Sequence, residues 1–173
     1  VAFVSVGTCT IGASIAADSS YITATASTVS FSVVYQVGDT GPSGGIVFYV
    51  EASGGTFTST GSTCGSACKY LEAAPANWQT GTTGDPTRTW ANGNSPNNQF
   101  TTIVGADGTA IGTGYQNSLD IVAQTGNVAA TSAAVEARAY RGPNNLTDWY
   151  LPSKDELNQM CKWQRGLDWI SDA

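Results

Sequence analysis

The most constraining stretch in this chain is Asp148-Trp149-Tyr150-Leu151-Pro152-Ser153-Lys154-Asp155-Glu156-Leu157, because it fixes a helix start to the residue. Ser153 can accept the backbone N–H of Glu156 while the Glu156 carboxylate reaches back to the Ser153 N–H, satisfying two donors that a helix start leaves orphaned. Pro152 brings no N–H and drives Leu151 into an extended conformation, so the sequence predicts a strand ending at Leu151 and passing directly into a helix. Leu157, Met160 and Cys161 recur at helical spacing with Lys154, Asp155, Asn158 and Lys162 between them, which predicts an amphipathic helix packed by its Leu/Met side. Cys161 on that side reads as a core thiol.

Ahead of this corner the chain changes texture several times. Residues Val1 to Tyr35 alternate in the manner of short strands: Phe3, Cys9, Ile11 and Ile15, a polar turn at Asp18 to Ser20, then Val29, Phe31, Val33 and Tyr35. Three strands fit that segment, and Cys9 reads as a buried thiol. So short a segment cannot bury a core alone, which predicts that it leans on a neighbour. After a Gly/Pro-rich junction, the apolar run Ile46 to Val50 predicts a strand buried on both faces. Lys69 to Ala73 predicts its antiparallel return, with one long loop between the two. Inside that loop Cys64 and Cys68 stand four residues apart. A small disulfide ring in an oxidising compartment is the favoured reading, and a metal site would need two further ligands that the neighbourhood does not offer.

Ala76 to Gly114 has no period of either helix or strand. Trp78, Trp90 and Phe100 stand there among Asn77, Asn92, Asn94, Asn97, Asn98 and Gln99. An irregular stretch of this length is uncommon in a compact domain unless it is functional or disordered, and tryptophan argues against disorder. Aromatic faces beside amides suit a carbohydrate subsite, the ring stacking on the apolar side of a sugar and the amides bonding its hydroxyls. Trp78, Trp90, Asn92, Asn94, Asn97 and Asn98 are therefore the candidate ligand-binding residues. The alternative reading makes each tryptophan a mini-core anchor and the Asn/Gly abundance ordinary turn chemistry. Beyond it, Tyr115 to Gln124 predicts a helix with Asn117 and Asp120 outward, and Ser132 to Tyr140 a second one capped by Thr131.

Composition narrows the function classes. The net charge is −6 and there is no histidine, so the chain lacks both the clustered cations that bind nucleic acid and the commonest general base and zinc ligand. No apolar run reaches the length of a membrane span, which predicts no membrane insertion, and no export signal remains at the N-terminus. Asp148, Asp155 and Glu156 cluster, but the cap and the helix dipole account for the last two. No calcium-loop series appears, nothing nominates a glycosidase pair, and a thiol enzyme would lack its histidine. The chain is thus expected to be non-catalytic, with no cofactor and no metal.

"DWYLPSKDEL", "VGDTGPSGGIVFYV" (Val37 to Val50) and "YLEAAPANW" (Tyr70 to Trp78) together resemble, in order, the motifs of the Lcl C-terminal-like domain, named for the Legionella collagen-like adhesin. "GTGYQNSLDIVAQTG" and "TSAAVEARAYRG" are similar to that family's helical insert. The resemblance implies an α+β, C-type-lectin-like domain over residues 37 to 173, with a small antiparallel sheet, two helical segments and long loops. Members carry further strands after the segment similar to "QRGLDWISDA", so it also implies truncation at the C-terminus. "GTCTIGASIAADSSYITATASTVSFSV" resembles the closing strands of a bacterial immunoglobulin-like repeat, which implies a partial all-β segment over residues 1 to 36. The function implied is adhesion outside the bacterial cell, with an extracellular glycan or a surface protein as partner. A sulfated glycan would require Arg88, Arg138 and Arg141 to gather. The competing expectation is a structural subunit or spacer of a filament or fibre, a homo-oligomer joined through the same loops.

Overall fold

The computed structural model describes residues 7–17, 19–20, 22, 24–78, 87–88, 103–123 and 132–166. It is a mixed α+β structure of short antiparallel strand pairs and three helices, and it divides into two compact units, Val1–Gln36 and Val37–Ala173.

Among its described residues the first unit contains four short strands where the alternation predicted three. β1 (Gly7–Ile11) pairs antiparallel with β4 (Val29–Val33), and β2 (Ser14–Ile15) pairs with β3 (Ala24–Thr25). Opposed Thr10 and Ser30 share a hydroxyl hydrogen bond of 2.7 Å, one of the cross-strand pairs that hold such ribbons. Ile11, Ile15, Ile22, Val29 and Val34 stay exposed, as the small size of the unit requires. The side chain of Cys9 lies outside the described residues.

The second unit is built on β5 (Ile46–Val50) and β8 (Tyr70–Ala73), antiparallel as expected, with a register shift between Val47 and Tyr49. Val47 and Phe48 are buried, as the apolar run predicts. The connection is not a plain loop. After a single 3-10 turn over Ala52–Gly54, β6 (Phe57–Ser59) and β7 (Gly65–Cys68) form their own hairpin, because the Cys64–Cys68 disulfide and the Ser62 turn close it locally.

α1 (Gly114–Ala123) begins one residue ahead of its predicted start, and Gln124 lies outside the described residues. Asn117 is not simply outward: its amide donates to the Gly108 carbonyl and accepts from the Gly108 N–H, holding the preceding loop. α2 (Ala133–Ala139) is capped by Ser132 rather than Thr131, which lies outside the described residues. The Ser132 hydroxyl reaches the Val135 N–H, the reach a cap requires.

α3 (Lys154–Gln164) starts at Ser153 with both bonds of the capping box present. Two expectations about this corner fail. Asp148 to Leu151 joins no strand ladder among the described residues, because side chains satisfy its backbone: the Leu151 N–H donates to Ser118 Oγ at 3.0 Å, and Arg138 donates to the Thr147 and Trp149 carbonyls. Nor does α3 pack by Leu157, which is 50% exposed, or by Cys161, which is an exposed free thiol. The face turned inward carries Ser153 and Glu156, both buried, with Met160 beyond them at helical spacing. Glu156 is fully buried and accepts from the Gly112 N–H at 2.8 Å, the Tyr150 hydroxyl at 3.1 Å and the Ser153 N–H at 2.6 Å. That carboxylate fixes the helix rotation, and the apolar positions follow.

Candidate functional site

Three aromatic rings come together in the second unit. Trp78 meets Tyr140 edge-on at 5.0 Å between centroids, and Tyr140 meets Trp149 at 5.1 Å. Each is brought there by the end of a local element: Trp78 follows the turn after β8, where Asn77 takes a left-handed φ of 59°; Tyr140 is the C-cap of α2; Trp149 lies in the segment leading into α3. The Trp149 indole sits against the backbone of Gly45 and Gly142. A Cβ at Gly45 would stand 3.0 Å from the indole and one at Gly142 would stand 3.0 Å from its nitrogen, so only glycine lets the ring lie so close.

Beside the rings are two carboxylates. Glu72, on β8, accepts from the Gly45 N–H at 3.0 Å and from the Ser43 N–H at 3.2 Å. Burial nonetheless raises its pKa above the ordinary carboxylate value, against the lowering by those backbone donors, and the nearby Asp148 charge adds to the rise. Asp148 has no hydrogen-bond or ion-pair partner among the described residues.

Rings and carboxylates border a cleft of about 540 Å³ whose lining is mainly apolar, with Phe48, Phe57, Leu71, Leu151 and Met160 among its walls. The cleft follows β8, which has β5 as its strand neighbour and no second one among the described residues. The Cys64–Cys68 disulfide stands at its lip. Two polar atoms of the lining are buried without a partner: Ser59 Oγ, on a residue 2% exposed, and the Trp149 indole nitrogen. Buried polar atoms are rarely left unpaired: the indole N–H lacks an acceptor, and the Ser59 hydroxyl, which can donate or accept, lacks any partner.

The chain was compared with protein-family models, curated proteins and solved structures. None matches.

Of the candidate ligand-binding residues, Trp78 lines the cleft, while Trp90, Asn92, Asn94, Asn97 and Asn98 lie outside the described residues. Cys64 and Cys68 are bonded, and Ser153 and Glu156 form the cap. The three arginines are committed to internal acceptors. Arg138 spans the Thr147 and Trp149 carbonyls and the Tyr115 hydroxyl while lying 4.2 Å over the Tyr115 ring; Arg141 donates to the Arg138 and Tyr140 carbonyls; Arg88 pairs with Glu136 at 3.4 Å. Among the described residues there is no group of three or more metal-ligating side chains, and no helix is long and apolar enough to cross a membrane. Sequence reasoning passed over Glu72, Tyr140 and Ser59. The usable signal was Glu72 itself, a carboxylate inside a short strand that reads as core.

Proposed function

We propose that this chain is a non-catalytic recognition module displayed outside the cell, and that it holds a glycan in the cleft beside Trp78, Tyr140 and Trp149 on a C-type-lectin-like scaffold. The observation that carries this reading is the ring series next to unpaired polar atoms. Sugars present an apolar face and a rim of hydroxyls, and the cleft offers aromatic faces together with Asp148, Glu72 and the Ser59 hydroxyl. Sparse charge, a disulfide and the resemblance to the Lcl C-terminal-like domain support the extracellular, adhesive setting. Trp78 is the ring to test, since it is half-buried and caps no helix. On a glycan array followed by calorimetry, Trp78→Ala should weaken binding about tenfold, a loss of ~1.4 kcal/mol, with the circular dichroism spectrum unchanged. A wild-type chain that retains no glycan on the array overturns the proposal.

A second reading, a self-associating subunit of a fibre, is favoured by one observation. β8 has no second strand neighbour among the described residues, and exposed strand edges are templates for pairing. Sedimentation velocity separates the two: assembly that rises with concentration and is competed by neither sugar nor Trp78→Ala supports the fibre.

A further inference from the structure

We infer that the ligand carries free amines: the cleft is built for a cationic glycan, one containing 2-amino sugars that are not acetylated. This rests on the glycan reading above and names the class of sugar. Glu72 and Asp148 line the same cleft as the three rings, the Asp148 charge is felt at Glu72, and Asp148 makes no ion pair among the described residues. Lys69 is the one base of the lining among the described residues, and it forms no ion pair with Glu72 or Asp148. Two carboxylates taken partly out of water beside one another repel, and an ammonium group between them removes that repulsion. The rings add to the same preference, since an ammonium group is drawn to the face of an indole or a phenol.

A second, independent observation points to a polyhydroxylated ligand rather than to a bare cation. Ser59 Oγ, on a residue 2% exposed, lines this cleft and has no partner. An ammonium group has three donors and can serve the oxygens around it, but a single amine does not reach along the whole cleft, whereas a sugar chain brings hydroxyls that donate and accept along its length. Glu72 already receives two backbone N–H groups, so it supplies charge, and Asp148 supplies the open carboxylate oxygens.

The test uses the full chain and three oligosaccharides of equal length: a glucosamine oligomer, its N-acetylated counterpart and a neutral glucose oligomer, by calorimetry across mildly acidic to neutral buffer, because the amines gain charge as pH falls while Glu72, its pKa raised by burial, takes up its proton. The expected result is glucosamine binding at least tenfold tighter than the acetylated oligomer, with the advantage shrinking as salt is added. Asp148→Asn should bring the two within about twofold of each other. Asp148 makes no structural hydrogen bond among the described residues, and near-ultraviolet circular dichroism checks that the variant folds. Equal binding of the two oligomers, or a preference that survives Asp148→Asn, overturns the amine and leaves the glycan reading standing. Failure of all three oligomers to bind overturns the amine, and overturns the glycan reading as well if the array retains no glycan. Displacement of the glucosamine oligomer by a lysine peptide of equal charge, at equal concentration, overturns the sugar and leaves a cation site.

Discussion

At the scale of single residues, the decisive side chains are polar ones placed where apolar ones would be easier. Glu72 is the case with a pH signature. Burial raises its pKa in the folded protein, so the folded state holds its proton more firmly than the unfolded chain does. Its contribution to stability is therefore complete below the unfolded carboxylate pKa and is lost as pH rises through the raised value. Urea midpoints for the wild type should fall between acidic and neutral buffer by more than those of Glu72→Gln. The variant carries a constant offset from its altered bonds to Ser43 and Gly45, so the slopes are what must be compared. Equal slopes would remove Glu72 as the source.

At the scale of elements, helices here are positioned by what they tie down. Ser118, fully buried on α1, receives the Leu151 N–H and faces the Leu151 carbonyl at 3.5 Å, so one hydroxyl stands where a neighbouring strand would. Ser118→Ala strands a buried backbone donor and should cost ~1–3 kcal/mol in urea denaturation, less the few tenths that alanine returns as a helix former. A change within half a kcal/mol, on the order of a neutral surface substitution, would show that water replaces the hydroxyl. This also marks how far the sequence could be read. The capping box and the Cys64–Cys68 bond were legible because each is written within a few neighbouring residues, and the β5 and β8 pairing because each strand carries its own apolar run and the two are successive. The Ser118 clamp spans 33 residues and the Glu156 to Gly112 bond 44, and no local pattern announces a partner at that distance. The same blindness explains Leu157: its periodicity was correct, but a remote N–H decided which face of α3 turned inward. The rings were half legible, since Trp78 was singled out by its surroundings while Tyr140 looked like the end of a helix.

At the scale of the whole molecule, the described residues of the second unit include few buried apolar side chains and several buried polar junctions. Glu156 draws donors from the loop before α1, from Tyr150 and from its own helix start, so these three stretches should open together. Native-state hydrogen exchange is expected to give the Gly112 and Ser153 amides closely similar protection, and the strand amides of the first unit less, as suits thirty-six residues with exposed aliphatics. Divergent protection at Gly112 and Ser153 would mean that the junction opens piecemeal. The cleft depends on a different kind of arrangement, an emptiness on the far side of a ring. Gly45 and Gly142 do not line the cleft, yet their lack of side chains is what allows the Trp149 indole to lie back from it. A methyl group at Gly45 would press on the Ala73 carbonyl of β8 before it reached the indole, and one at Gly142 would meet the Ser43 carbonyl as well as the indole nitrogen at a φ of +64°, so neither vacancy can be filled without shifting backbone and the setback of the ring is locked from behind.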